Sequence, residues 1–200
     1  DKVGGSSPSS NKLITMKTFF IIHGIQGHAG KHWQAWLKLE LEKSGQKVIM
    51  PTLPNPDHPD RIEWLEFHKE KLRDINTNNL VFVTHSLGAV TAMDYIEQSP
   101  EAILGLVSVS GFARDYGMEL NSYFLKEKHI DMNMIRKNTK NISIIFGNDD
   151  PYVPQNELKY LSEKLNVEEM IIEKGGHLNT ETGYTKFPLL LEECLKIVED

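Results

Sequence analysis

Along most of the chain, short unbroken apolar runs alternate with stretches whose apolar residues recur every three or four positions. The first pattern suits a strand buried on both faces, the second a helix with one buried side. Thr18–His23 reads as the first strand, and Lys31–Ser44 as a helix with Trp33, Trp36, Leu37 and Leu41 on one face, ended by Gly45. Lys47–Pro51 is a short second strand, and the proline-rich segment to Pro59 must be a loop. Asp60 caps a predicted helix to about Ile75, with Trp64, Leu65, His68 and Leu72 inward. Leu80–Thr84 is the third strand, and its helix runs to about Gln98 on Leu87, Val90, Ala92, Met93 and Ile96.

Ile103–Ser110, Ile142–Phe146 and Glu169–Glu173 are the remaining strands, with a helix at Gln155–Leu165. A last helix starts near Gly183 or Tyr184, or at Pro188, and reaches Val198 with Leu190, Cys194 and Ile197 buried. Between strands four and five, residues 111–138 carry Phe112, Tyr116, Tyr123 and Phe124 and then an amphipathic Asp131–Asn138. This segment is expected to hold one or two short helices over the sheet edge and to form a pocket wall. The alternation as a whole indicates an α/β fold with a parallel sheet.

Composition narrows this picture. Residues 1–15 are rich in glycine and serine and precede Met16, so they read as a flexible tail or expression scar, leaving 16–200 as one domain. A net charge of −6 offers no basic footprint for nucleic acid or anionic lipid. The single cysteine, Cys194, cannot form an internal disulfide, and Phe19–Ile22 is too short to span a bilayer. The expectation is a cytoplasmic protein without a membrane segment, a nucleic-acid partner, a metal or a cofactor.

In an open parallel sheet, ligands bind at the carboxyl ends of the strands. Here those ends carry His23, Ser86, the pair Asp149 and Asp150, and His177. Thr84-His85-Ser86-Leu87-Gly88 lies between a strand and a helix, close to the G-x-S-x-G turn that lifts a serine hydroxyl above a sheet. Thr84 fits the tight first position less well than glycine would. A serine, an acid and a histidine in this chain order suit nucleophilic acyl transfer, with His177 as base. Ser86 alone would equally suit a helix N-cap. His85 adjoins the serine but points the wrong way along the turn to be its base. Either aspartate could orient His177, with Asp150 favoured because Pro151 biases it toward an extended conformation. An oxyanion would need the backbone N–H of Leu87 and a second donor from Ile25 or Gln26 in the glycine-rich loop after strand one. Pocket candidates are His23, His85, Trp33, Phe112 and Tyr123. His28 and His32, four residues apart without an acidic companion, read as surface or pocket polar groups.

These markers resemble a known family: Ile22-His23-Gly24, His32-Trp33 with Trp36, Pro54-Asn55-Pro56, Trp64, His85-Ser86-Leu87-Gly88, Val109-Ser110, Asp149-Asp150-Pro151 with Val153-Pro154, and Gly176-His177. The chain is similar from Met16 onward to the small α/β-hydrolase-fold serine hydrolases of the retinoblastoma-binding protein nine and YdeN-like family. The resemblance implies a three-layer fold with a six-stranded, mostly parallel sheet in the order 2-1-3-4-5-6, helices on both faces and no large cap domain. It also selects Asp150, three residues before Val153-Pro154, as the acid. The expected function is hydrolysis of a small acyl ester through a Ser86–His177–Asp150 triad.

Two other readings compete. Gly24, Gly27 and Gly30 after a strand, with Tyr160 and Lys164 later, resemble part of a dinucleotide site. Strand two, however, ends in Met50-Pro51-Thr52 without the acid that such a site needs. A hydrolase fold kept as a catalytically quiet protein-interaction module is the second. A protein partner is not indicated by any motif.

Overall fold

The computed structural model describes residues 16–199, so the reading of residues 1–15 lies outside the described residues. Six strands, β1 (Thr18–Ile22), β2 (Lys47–Ile49), β3 (Leu80–His85), β4 (Ile103–Val109), β5 (Thr139–Gly147) and β6 (Glu169–Ile172), form one sheet in the order β2-β1-β3-β4-β5-β6. Every neighbouring pair is parallel. The strand order and direction are those the resemblance implies.

Successive side chains of a strand face opposite ways, so each central strand feeds two cores. Phe19, Ile21, Val81 and Val83 face α1 (Gln34–Lys43) and α7 (Pro188–Glu199), where Leu37, Leu41, Leu190 and Cys194 close the layer. Phe20, Ile22, Phe82 and Leu106 face α2 (Arg61–Leu72), α3 (Gly88–Gln98) and α6 (Gln155–Leu165), meeting Trp64, Met93 and Leu161. Burial holds the Cys194 thiol well above its ordinary range, so it stays a neutral apolar filler.

Several element ends differ from the sequence expectation; the starts of α1 and β5, and the later of the starts offered for α7, have local reasons. Helix α1 starts at Gln34 and not Lys31, because Gly30 and His32 are left-handed, with φ of 83° and 60°, and turn the chain first. Gly183 at φ 92° likewise stops an early start to α7, which begins at Pro188, where the missing N–H costs nothing. Strand β5 begins at Thr139, since its ladder with β4 carries through Asn141 despite the polar sequence.

Residues 111–138 form α4 (Glu119–Lys126) and α5 (Met132–Lys137) above the sheet edge, with no larger cap. Arg61, at the start of α2, ties this segment down. Its guanidinium grips both oxygens of buried Asp94 on α3 at 2.7 and 2.9 Å and donates to the carbonyls of Phe124 and Lys128 at 3.1 and 2.7 Å. Five donors in a planar fork suit this many fixed acceptors, which a lysine could not satisfy. Lys128 adds ion pairs to Asp94 and Glu97.

Candidate active site

Strand β3 ends at His85 and α3 opens at Gly88, leaving Ser86 and Leu87 as the whole connection. Ser86 is held at φ 54°, a left-handed conformation that costs a non-glycine residue about 1–3 kcal/mol. Two backbone bonds hold it there: its N–H donates to Val109 at 3.0 Å, and its carbonyl accepts from Ala89 at 3.0 Å. Glycines admit the close approaches. A Cβ on Gly88 would lie 2.7 Å from the His23 carbonyl, and one on Gly24 would lie 3.0 Å from Ser86 Cβ.

His177 sits beyond β6, facing this turn. Its Nδ1 lies 2.7 Å from Asp150 Oδ2, and an ionised carboxylate can only accept, so Nδ1 carries the hydrogen. The second nitrogen, Nε2, is thereby left with its lone pair. The other Asp150 oxygen accepts the N–H groups of Tyr152 and Val153 at 2.9 and 3.0 Å, which fixes the carboxylate plane. Asp149 serves elsewhere: it accepts the Gly176 N–H at 2.7 Å. The two aspartates thus hold the side chain and the backbone of the same loop. Ser86 and His177 line the same cavity, although Ser86 Oγ makes no hydrogen bond to the ring; such contacts tighten when substrate binds.

The loop after β1 reaches the other side of Ser86. His23 Nδ1 donates to the Gly24 carbonyl at 2.7 Å, and its Nε2 accepts the Leu53 N–H at 2.9 Å, so one neutral imidazole joins this loop to the proline-rich segment. Burial lowers its pKa and keeps the ring neutral, while the two bonds fix the tautomer. Of the two donors offered for an oxyanion, Gln26 is occupied: its N–H donates to the Pro56 carbonyl at 2.7 Å. The N–H groups of Ile25 and Leu87 have no acceptor among the described residues.

The cavity beside Ser86 measures about 220 Å³. His23 and His85 line it as expected, but Trp33, Phe112 and Tyr123 do not. Trp33 and Phe112 are fully buried in opposite cores, and the Trp33 indole donates to the Leu178 carbonyl at 3.1 Å. Tyr123 lies outside, stacked on His58 with ring centroids 4.3 Å apart. Residues 111–138 do form a wall, through Tyr116, Met118, Leu120 and Asn121. The lining also includes His32, one of the surface-or-pocket candidates, together with Lys31, Gln34, Asn179 and Glu181, which sequence reading did not gather. Tyr152 closes one rim, its ring against His177 at 5.2 Å and its hydroxyl donating to Glu181 at 2.7 Å. That bond lowers the Glu181 pKa.

Electrostatics keep most of this site neutral. His85 is fully enclosed, and burial, then the nearby His177, push its pKa well down. His32 falls to about 4, first through burial and then through Lys31. Gln34 and Asn121 are buried, with both amide atoms of the first and Oδ1 of the second lacking a partner. Among the described residues, no group of three or more His, Cys, Asp or Glu side chains could hold a metal ion. Gly24 and Gly27 of the suspected dinucleotide loop lie close against Ser86 and His23 instead, and Tyr160 lies under the Arg114 guanidinium at 3.8 Å, away from the cavity.

Comparison with known proteins bears on the family and the fold. The pattern of the serine hydrolase family matches residues 19–195. YdeN of Bacillus subtilis is 27% identical over 178 residues, covering 88% of this chain and 93% of that protein. The rat protein named serine hydrolase RBBP9 is 28% identical over 155 residues, covering 74% of this chain and 80% of its own length. The crystal structure of the B. subtilis ydeN product superposes with a TM-score of 0.86 at 26% identity, over 92% of this chain and all of that one. Est1E of Butyrivibrio proteoclasticus shares the fold at a TM-score of 0.69 and 16% identity, over 95% and 91% of the two chains. On the extent of the family match, this chain belongs to the serine hydrolases.

Proposed function

We propose that the protein hydrolyses small acyl esters through Ser86, His177 and Asp150. The observation that carries this reading is the 2.7 Å bond from His177 Nδ1 to Asp150, at the rim of a cavity whose wall includes a serine at φ 54°. His177 Nε2 accepts the Ser86 proton as Oγ attacks the acyl carbonyl. Asp150 stabilises the imidazolium, which then protonates the departing alcohol. The N–H groups of Ile25 and Leu87 receive the oxyanion; each such donor is typically worth about two to three decades in turnover. Water repeats the sequence to free the acid.

A cavity of about 220 Å³ is smaller than the roughly 300–1,000 Å³ of sites that hold drug-sized ligands, which favours short acyl groups. The test is labelling by a fluorophosphonate probe alongside turnover of p-nitrophenyl acetate. Wild-type protein should react and Ser86→Ala should not, with unchanged far-UV circular dichroism. A folded wild type that refuses the probe would instead favour a hydrolase fold kept for binding.

A further inference from the structure

We propose that His85 is a positioning residue, holding the base-bearing loop in register with the nucleophile by donating from Nε2 to the carbonyl oxygen of His177. This rests on the triad reading and extends it. The bond is 2.9 Å long, and a carbonyl can only accept, so Nε2 of His85 carries the hydrogen. The same residue immediately precedes Ser86, so its backbone ends β3 while its side chain reaches across 92 positions of sequence to the base.

The loop needs such ties. Lys174, Gly176 and Leu178 all have positive φ, at 54°, 55° and 49°, and two of the three are not glycine. Backbone of this kind persists only where its surroundings over-determine it. The surroundings here act on alternate groups: Asp149 takes the Gly176 N–H, His85 holds the His177 carbonyl, and Trp33 holds the Leu178 carbonyl. His32 Nδ1 then accepts the Thr180 N–H at 3.1 Å. The rings of His32, His85 and His177 succeed one another at centroid separations of 5.2 and 4.8 Å, so the ties are also a packed unit. Both supporting imidazoles are neutral near pH 7, which lets one act as a fixed donor and the other as a fixed acceptor.

A base displaced by about 1 Å can lose on the order of a hundredfold in rate. His85→Leu keeps the apolar volume but removes the donor, and should lower kcat by about ten- to a hundredfold while KM changes little. His85→Gln can place an amide N–H near the same carbonyl and should recover most of the turnover. Hydrogen exchange of the 174–183 segment should accelerate in His85→Leu and stay near wild type in His85→Gln. If His85→Leu proves too unstable, His32→Leu against His32→Asn tests the same cradle through the acceptor for the Thr180 N–H. Equal loss in the leucine and amide variants, or unchanged exchange in His85→Leu, overturns the proposal. The exchange measurement decides it even if the wild type turns over no ester, so the two readings fail separately.

Discussion

Replacing Asp150 and Asp149 in turn by asparagine separates the two carboxylates by what each one holds. In Asp150→Asn the amide oxygen can keep the N–H groups of Tyr152 and Val153, now at 2.9 and 3.0 Å, which turns the NH2 toward His177. A donor there forces Nδ1 to present its lone pair and moves the ring hydrogen to Nε2, the nitrogen that must accept from Ser86. Loss of the charge also removes the partner of the imidazolium. Triads altered in this way lose about four decades in kcat, which at 1.36 kcal/mol per decade is roughly 5.5 kcal/mol of barrier. Asp149 is exposed, and its asparagine can still accept the Gly176 N–H. Only the charge assistance is lost, so the penalty should stay below about 1.5 kcal/mol, or tenfold. The assay is p-nitrophenyl acetate turnover on both variants, with thermal melts to exclude unfolding. Equal losses, or a greater loss in Asp149→Asn, would refute the assignment of Asp150.

Arg61→Met should destabilise by about 3–5 kcal/mol, because Asp94 would remain buried with only the more distant Lys128 beside it. Urea denaturation checks this, and Arg61→Met/Asp94→Leu should regain much of the loss; identical midpoints for single and double variants would contradict it. Acid should weaken the fold through His68, which is fully buried and whose pKa burial lowers to about 3. Below the unfolded pKa of 6.5 the unfolded chain takes up a proton that folded His68 refuses, so stability falls from pH 6.5 toward pH 3. At pH 4 the difference is about 3 kcal/mol. Melts of His68→Leu between pH 7 and pH 4 should show a shallower loss, and an unchanged slope would remove His68 from the account. Gln34→Met, which deletes two buried atoms without partners, should raise the melting temperature. If Gln34 also serves polar substrates its KM for them should rise, and a lower melting temperature would mean that the amide has a partner.

The sheet was legible because strands buried on both faces leave unbroken apolar runs, and Leu80–Val83 and Ile103–Val107 are such runs. Their ends were less so, since ladder pairing carries polar residues such as Lys140 and Asn141 into β5. Candidate site positions were legible where topology delivers them: the carboxyl ends of β3, β5 and β6 bring Ser86, the Asp149–Asp150 pair and His177 to one rim, while the choice of Asp150 came from the family resemblance. Pocket residues were not. An aromatic ring looks the same in sequence whether it fills a core, as Trp33 and Phe112 do, or lies on the surface like Tyr123. Gln34, Asn121 and Glu181 reach the cavity through contacts between distant segments, which no local pattern records.

Thr84 shows how a local motif can misplace a steric requirement. The G-x-S-x-G pattern asks for a small residue two positions before the serine, yet Thr84 is fully buried and continues the β3 ladder between Ile22 and Ser108. Its hydroxyl lies 3.5 Å from the Val107 carbonyl, so the polar atom has an acceptor in the neighbouring strand. The tight contacts fall instead on Gly88, against the end of β1, and on Gly24, against Ser86 itself. Crowding at this elbow is therefore between the nucleophile turn and the loop that carries Ile25, the same loop that His23 fixes through Gly24 and Leu53. A side chain at Gly24 would push that loop away from Ser86 and with it the Ile25 N–H. The absence of glycine at position 84 leaves this geometry intact, because the serine's close neighbour is Gly24 in the loop after β1 and not a residue of its own strand.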